Sequence, residues 1–298
     1  MRDAVETARL KALAVPPAYA KVRYAADPRA HLQAIGEDAA GRLQYRYHPR
    51  WAEVREALKA RRLAGLARAL PAIRRAIARC MSGNPSHRSF VAACVVDLVS
   101  LTAIRAGSEE YVRERGTRGA TTLLKSNVVL CRNSTVRITF RGKGGKVVTK
   151  EVKSRRFRAA VRNLLAVPGR RLFQWRDDSG EARPIRADDV NAFLHEVAGA
   201  RISLKDFRTL VASAAALRAL AATEPAPSHR RRLRQVRAVV EEVAETLANS
   251  PTVCRTSYVH ETVVAAFEAG ALKGRKAGRL RSPAGEAEML ARVVSRRV

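Results

Sequence analysis

The stretch that decides the fold is VVLCRNSTVRITFRGKGGKVVTKEV, which runs from Val128 to Val152. Its apolar and β-branched residues recur with a period of two on both sides of Gly144-Gly145. Two adjacent glycines can supply the positive φ angles that a tight reversal needs. The pattern therefore predicts a β-hairpin, within a small antiparallel sheet, in the middle of a chain that otherwise has the periodicity of helices.

Helical patterns lie on both sides of this hairpin. Apolar residues from Trp51 onward recur near a 3.6-residue period, and we expect this helix to be broken at Pro71 and to end before Gly83-Asn84-Pro85. A second, apolar helix is predicted from Ser89 to Arg105. Downstream, the same periodicity predicts helices over residues 154–166, 188–198, 204–222 and 229–247. The third of these begins with the spacing of a capping box, Ser203 to Asp206.

The two ends of the chain have a different character. The first 50 residues are rich in turn-forming residues, with short extended segments predicted at 19–24 and 43–47. Residues 271–298 form a basic, glycine-containing tail that we expect to be loosely ordered, with a short helix possible at 284–294. We therefore predict an α+β fold of two lobes: a small mixed N-terminal lobe over 1–57 and a mostly α-helical lobe with a small antiparallel sheet over 58–270.

The charge of the chain indicates its class of partner. Its 298 residues include 57 Lys plus Arg against 27 Asp plus Glu, a formal net charge of +30. A small soluble domain usually carries a net charge of about 2–8 in magnitude, so the excess points to a polyanion, with nucleic acid as the first candidate. A hydrophobic content of 47% is too high for a disordered polycation.

Other classes are excluded by what the sequence lacks. The longest nearly uncharged stretch, 89–104, is interrupted by Asp97 and is shorter than the roughly 20 residues of a membrane span. The first twenty residues have no sustained apolar run, so we expect no signal peptide and a cytoplasmic, nucleoid-associated protein. The four cysteines are widely spaced, so we expect reduced thiols and no metal site.

Five short strings go beyond a generic basic protein. In chain order they are Gly41-Arg-Leu-Gln44-Tyr45-Arg-Tyr47-His48, Ile104-Arg105-Ala-Gly107 with Glu110-Tyr111, Phe140-Arg-Gly-Lys143-Gly-Gly-Lys146, Lys205-Asp206-Phe207-Arg208-Thr209, and Asn249-Ser-Pro251-Thr-Val-Cys-Arg255-Thr-Ser-Tyr258. Together they resemble the type IB DNA topoisomerases, specifically the compact bacterial and poxvirus branch, over about residues 15–270. The region 58–270 would then be the catalytic domain.

The residue types are compatible with phosphoryl transfer at a site without metal. Attack on a phosphodiester builds negative charge on the non-bridging oxygens, and the guanidinium groups of Arg105 and Arg208 would stabilise it. A tyrosine oxygen can form a covalent phosphate ester. By resemblance, Tyr258 is this nucleophile and Lys143 is the general acid that protonates the leaving 5′-oxygen. Lys205 is near enough to Arg208 in the sequence to assist this proton transfer.

The resemblance has one departure in the site and several further implications. In the family a His commonly stands nine residues before the tyrosine, whereas this chain has Asn249, whose amide donates hydrogen bonds but carries no charge. The rate and pH dependence are therefore expected to differ. Family positions that contact DNA correspond to Gln44, Tyr45, Tyr47 and Tyr111. Relatives often have a longer β-rich stretch before the Pro16-Pro17 pair, so we expect an abridged N-terminal lobe.

The resemblance also implies a complete reaction. Two lobes would clamp duplex DNA, preferably supercoiled, and cleave one strand through a 3′-phosphotyrosyl link. The downstream duplex would rotate and the free 5′-hydroxyl would reseal the strand. No ATP is required, Mg²⁺ is at most stimulatory, and a monomer is expected.

Bland alternatives remain open for each residue. Arg105 could extend to solvent, Lys143 could be a solubilising turn residue, and Arg208 could pair with Asp206 or with a neighbouring helix. The aromatic candidates could be core or anchor residues: Tyr45, Tyr47, Tyr111 and Tyr258. Two other functions also remain: a site-specific tyrosine recombinase, which usually has His where Lys205 stands, and a non-catalytic basic DNA-binding protein.

Overall fold

A computed structural model describes residues 3–272 and 283–295 of the chain. The chain forms two compact units that divide between Lys59 and Ala60, and the predicted boundary is residue 57. Within the described ranges, no helix is both long enough and apolar enough to cross a membrane.

The first unit combines helix with a three-stranded antiparallel sheet in the order β1-β2-β3. Its elements are α1 (Ala4–Ala12), β1 (Ala20–Tyr24), β2 (Leu32–Glu37), β3 (Leu43–Tyr47) and the beginning of α2 (Trp51–Cys80). The extended segments predicted at 19–24 and 43–47 are confirmed as β1 and β3. β2 was not predicted, because its sequence lacks a clear alternation and only pairing with strands on both sides makes it the central strand.

The long helix α2 continues through Pro71, so the predicted break there is wrong. Proline removes one backbone hydrogen bond and costs a helix interior about 3 kcal/mol. Apolar side chains on both sides of the proline, Leu66, Leu70, Ile73 and Ile77, are buried in the core. Since burying one such side chain contributes about 1.5–3 kcal/mol, tertiary packing outweighs the local cost.

The apolar helix α3 (Arg88–Thr102) is central to the second unit. Its residues from Phe90 to Val99 are all buried, and it packs against the helices and strands that follow it in the chain. The helix ends at Thr102, and the next residue, Ala103, adopts a left-handed conformation with φ 52°. This ending is three residues earlier than the predicted limit, so Arg105 lies in the loop before α4 (Glu109–Arg115) and not in the helix.

The predicted hairpin is confirmed. Three antiparallel strands form a sheet in the order β4-β5-β6, and they are β4 (Val128–Leu130), β5 (Thr135–Arg141) and β6 (Val147–Lys153). The turn between the last two strands contains Gly144 and Gly145 with φ values of 77° and 76°. Alternate residues of β5, from Val136 to Phe140, are buried on one face of the sheet.

The helices predicted downstream are confirmed, each end lying within one residue of its expected position. They are α5 (Arg155–Ala166), α6 (Ala187–Ala198), α7 (Leu204–Ala221) and α8 (His229–Thr246). A short two-stranded ribbon of β7 (Gln174–Arg176) and β8 (Ala182–Pro184), which was not predicted, precedes α6. The expected capping box opens α7, where the Asp206 carboxylate accepts hydrogen bonds from the backbone N–H and hydroxyl of Ser203, both at 2.8 Å.

The C-terminal part of the chain continues in helical segments. They are α9 (Pro251–Val253), a π-helical turn (Cys254–Tyr258), α10 (Glu261–Glu268) and α11 (Pro283–Ser295). Because α11 packs on α7 and α10 and buries Leu290 and Val294, the expectation of a loose tail is wrong for this helix, and the alternative of a short helix at 284–294 is confirmed. Residues 273–282 and 296–298 lie outside the described part.

Candidate active site

The loop that carries Arg105 is held in place by a second segment of backbone. The carbonyl of Arg105 accepts from the N–H of Ala120 at 2.8 Å, and the carbonyl of Ala106 accepts from the N–H of Thr121, also at 2.8 Å. Gly119 makes the close approach possible, because a Cβ atom on it would lie 2.5 Å from the Arg105 carbonyl oxygen. A glycine 14 residues downstream of Arg105 therefore determines where that arginine stands.

The resemblance implies DNA cleavage, and replacing Gly119 by Ala should slow that cleavage and destabilise the protein by about 1–3 kcal/mol, the usual cost of overpacking. The added methyl group would force the backbone at Arg105 to move. Single-turnover cleavage and thermal unfolding measure the two effects. Gly65→Ala is the matched control, since its Cβ would meet nothing within 4 Å and the change improves helix propensity in α2. Normal cleavage by Gly119→Ala would contradict the role given to this contact.

Arg208, in the first turns of α7, is buried, with 3% of its surface exposed. Its guanidinium donates to the carbonyl of Ala103 and, at 3.3 Å, to the carbonyl of Leu247. It therefore bonds to backbone and not to Asp206, which caps the helix. Burial lowers the pKa of Arg208, partly offset by Tyr258. The Nε–H has no partner among the described atoms and is free to donate to a ligand.

Tyr258 lies against this buried cation. The π-helical turn closes with a hydrogen bond from the N–H of Val259 to the carbonyl of Cys254 at 2.9 Å, and Ser213 donates to the carbonyl of Tyr258, also at 2.9 Å. The guanidinium carbon of Arg208 is 4.8 Å from the ring centroid of the tyrosine. π-Helical turns of this kind occur frequently at functional sites.

The electrostatic surroundings of Tyr258 favour its phenolate. Burial by itself would raise the pKa of the phenol, but the positive charges of Arg208, Arg105 and Lys205 act in the opposite direction, and the net effect lowers the pKa. A phenol with a lowered pKa is a better nucleophile near neutral pH, because a larger fraction of it is ionised.

Asn249 joins the same cluster through Arg105. The Arg105 guanidinium donates to the Asn249 side-chain oxygen at 2.8 Å, although the two residues are 144 positions apart in the chain. The amide nitrogen of Asn249 is buried and has no partner among the described atoms. An unpaired buried donor costs about 1–3 kcal/mol, so this amide nitrogen is a candidate donor to a bound ligand.

The two lysines expected at the site lie on different elements. Lys143 is exposed at the turn between β5 and β6, and it lines the same cavity as Arg105 and Arg208. Lys205 is exposed at the start of α7, near enough to lower the pKa of Tyr258. Arg105 therefore bonds to Asn249 and Arg208 contacts Tyr258, while Lys143 shares a cavity with both arginines and Lys205 is linked to Tyr258 only through its charge.

Sequence reasoning missed Lys150, which lines this cavity together with Lys143. The sequence pattern predicts it only as one residue of a β-strand. The signal was present in the alternation of β6, where a lysine stands at an inward position between Val148 and Val152.

The residues expected to contact DNA from the first unit lie on the two faces of β3. Tyr45 and Tyr47 share one face, each 44% exposed, so they are not a buried core pair. The rings of Tyr47 and Trp51 stack with their centroids 5.9 Å apart, and the ring centroid of His31 lies 5.0 Å from that of Trp51. Sequence reasoning missed both Trp51 and His31 as aromatic neighbours. Gln44 points the other way, and its side-chain amide donates to the Asp38 carboxylate at 2.9 Å.

Tyr111, the fourth expected DNA contact, lies on α4 in the second unit. Its side chain is 49% exposed, with the guanidinium of Arg115 at 5.4 Å from its ring. An exposed tyrosine beside an arginine is compatible with a phosphate contact and not with the alternative of a buried helix anchor. Among the described residues, no group of three or more His, Cys, Asp or Glu side chains has the geometry to hold a metal ion.

Comparison with known proteins gives matches along most of the chain. Residues 50–278 match the family described as eukaryotic DNA topoisomerase I, catalytic core. Residues 1–38 match the family described as bacterial DNA topoisomerase IB, N-terminal domain. The chain is also similar to the DNA topoisomerase 1B of Acanthamoeba polyphaga mimivirus, with 28% identity over 258 residues that cover 84% of this chain and 76% of the viral protein.

Proposed function

Because this chain belongs to the type IB DNA topoisomerases, a family of isomerases, we propose that it relaxes supercoiled duplex DNA by cutting, rotating and resealing one strand. The observation that carries this proposal is the contact between the buried Arg208 guanidinium and Tyr258, 4.8 Å from cation to ring, in one cluster with Arg105 and Asn249. A phenol beside two guanidinium groups is suited to attack a phosphodiester.

In the cleavage step, the phenolate oxygen of Tyr258 forms a bond to phosphorus while the bond from phosphorus to the 5′-oxygen breaks. The phenolic proton has already left to solvent, and Lys143 gives a proton to the departing 5′-oxygen. The non-bridging oxygens gain negative charge in the transition state and accept from Arg105, from the free Nε–H of Arg208 and from the amide of Asn249. The products are a 3′-phosphotyrosyl link and a 5′-hydroxyl.

Religation is the same step in reverse, after the downstream duplex has rotated about the intact strand. The phosphotyrosyl ester conserves the energy of the broken bond, so the cycle needs no ATP, and Mg²⁺ acts at most as a stimulant. Every residue of the cluster comes from the second unit of one chain, which supports action as a monomer. We propose that the protein is located in the nucleoid, where its DNA substrate lies.

Incubation with a supercoiled plasmid in EDTA tests the proposal. A ladder of partly relaxed topoisomers, with a covalent adduct trapped by denaturant, is the expected result. A tyrosine recombinase would give recombinant products at paired sites only. A non-catalytic binder would retard the plasmid without changing its linking number, and either outcome would overturn the assignment.

The pH dependence of cleavage should follow the lowered pKa of Tyr258. Since an acid with a lowered pKa loses its proton at lower pH, the single-turnover rate should rise with pH and level off below the ordinary phenol pKa of about 10. DNA with sulfur in place of the bridging 5′-oxygen isolates this rising limb of the pH–rate profile, because a thiolate leaves without a proton. Lys205→Ala should move the limb to higher pH, whereas Lys153→Ala on β6 should not. A limb that stays in place in Lys205→Ala would contradict the electrostatic coupling.

A further inference from the structure

Lys150 occupies a position that the pattern of its strand reserves for an apolar side chain. It lies between Val148 and Val152 on one face of β6 and pairs across the sheet with Ile138, which is fully buried. Lysine is among the residue types least often buried. A residue that breaks the local rule in this way commonly serves function rather than stability.

The ammonium group of Lys150 reaches the end of another element. Its Nζ donates to the carbonyl of Thr246 at 2.5 Å, and Thr246 is the last residue of α8. The final carbonyls of a helix have no partner within the helix and carry its negative partial charge, so they are suited to hold a cation. The next carbonyl, that of Leu247, accepts from Arg208 at 3.3 Å. Two cations therefore hold consecutive carbonyls of the segment that leads to Asn249.

The same strand pair carries Lys143 at its turn. Phe140 pairs with Val148 and Arg141 with Val147, and the N–H of Gly142 donates to the carbonyl of Lys146 at 2.8 Å. The position of Lys143 thus follows the position of β6. The side chains of Lys143 and Lys150 line one cavity with Arg105 and Arg208.

We propose that Lys150 is a positioning residue: by joining β6 to the end of α8, it holds the hairpin so that Lys143 reaches the leaving 5′-oxygen. This inference rests on the proposed function. Burial first, and then repulsion by Arg208, lowers the pKa of Lys150, as expected for an ammonium group placed inside the site. The strand accepts a lysine here because its ammonium has the carbonyl of Thr246 as a partner.

Lys150→Met tests the proposal, because methionine keeps the apolar stem and removes only the ammonium group. We expect thermal stability to stay the same or rise, and single-turnover cleavage of ordinary DNA to fall roughly 10–100-fold, the range that a small misplacement of a reacting group costs. On DNA with a bridging 5′-sulfur, cleavage should stay within about threefold of wild type, because the leaving thiolate needs no proton from Lys143. Lys150→Arg should restore part of the rate.

Lys153→Met is the matched control, since Lys153 lies on the same strand but is exposed, and it should cleave both substrates normally. Equal losses on the oxygen and sulfur substrates in Lys150→Met would overturn the proposal, as would no loss on either. Should the Met variant fail to fold, Lys150→Gln, which keeps a donor without the charge, decides the same comparison.

Hydrogen exchange separates this inference from the proposed function. In Lys150→Met the backbone amides of residues 143–147 should exchange faster than in wild type, whether or not the protein cleaves DNA. Unchanged exchange would overturn the positioning role by itself. Absence of a covalent adduct with the wild-type protein on both substrates would instead defeat the proposed function.

Discussion

Tyr258→Phe should form no covalent adduct with DNA and should relax no plasmid, while binding duplex DNA as well as wild type does. The substitution removes only the phenolic oxygen, which is the atom that bonds to phosphorus in the proposed reaction. The ring remains in its pocket under Arg208, and the backbone bond from Ser213 is unaffected. The fold should therefore be preserved.

Adduct trapping on a denaturing gel and fluorescence anisotropy with a labelled duplex measure the two properties. Tyr24→Phe gives the same chemical change at a tyrosine that is 45% exposed, and it should leave cleavage unchanged. An adduct that persists in Tyr258→Phe would show that another residue is the nucleophile.

Arg208→Ala should lower the single-turnover cleavage rate on the order of 10²-fold or more, the usual cost of removing a transition-state donor. Two effects combine in this loss. The non-bridging oxygens lose a cationic donor, and the pKa of Tyr258 rises because the burial that raises it is no longer opposed by Arg208. Part of the loss should therefore be recovered at higher pH, where more of the phenol is ionised.

The same substitution also removes hydrogen bonds to the carbonyls of Ala103 and Leu247, so the variant should unfold at a lower temperature. Cleavage is for that reason measured well below its melting temperature. Arg218→Ala is the control on the same helix, because Arg218 is exposed and pairs with Glu286. Arg208→Lys keeps the charge but not the forked geometry and should be intermediate. A loss below tenfold in Arg208→Ala would contradict its assigned role.

Local patterns predicted much of the secondary structure, whereas the six residues expected to act on the phosphate came from five ordered motifs and from the family resemblance that those motifs carry. The hairpin followed from a two-residue alternation around two glycines, and α5 to α8 followed from apolar residues at helical spacing. These signals are local, because a strand or helix needs only its own residues to set the period. The order of five motifs then indicated the family, which the comparisons confirm.

The errors have a common physical origin in tertiary packing. α2 passes through Pro71 because buried residues on both sides hold it to the core, and α11 is ordered because it packs on α7 and α10. β2 is a strand because it pairs with a strand on each side. None of these stabilising contacts is visible within a short window of sequence.

By itself the sequence determined most helices, the hairpin and the positive charge that favours a polyanionic partner. It also determined which side chains are available as nucleophile, acid and cationic donors. Only the tertiary structure decided that Arg105 bonds to the side-chain oxygen of Asn249, 144 positions away, and leaves the amide nitrogen without a partner in the described part of the chain. It also decided that Lys150, at an inward position of β6, donates to the carbonyl at the end of α8. The physical reason is that periodicity is encoded by neighbouring residues, whereas a site depends on distances between residues that meet only when the core closes.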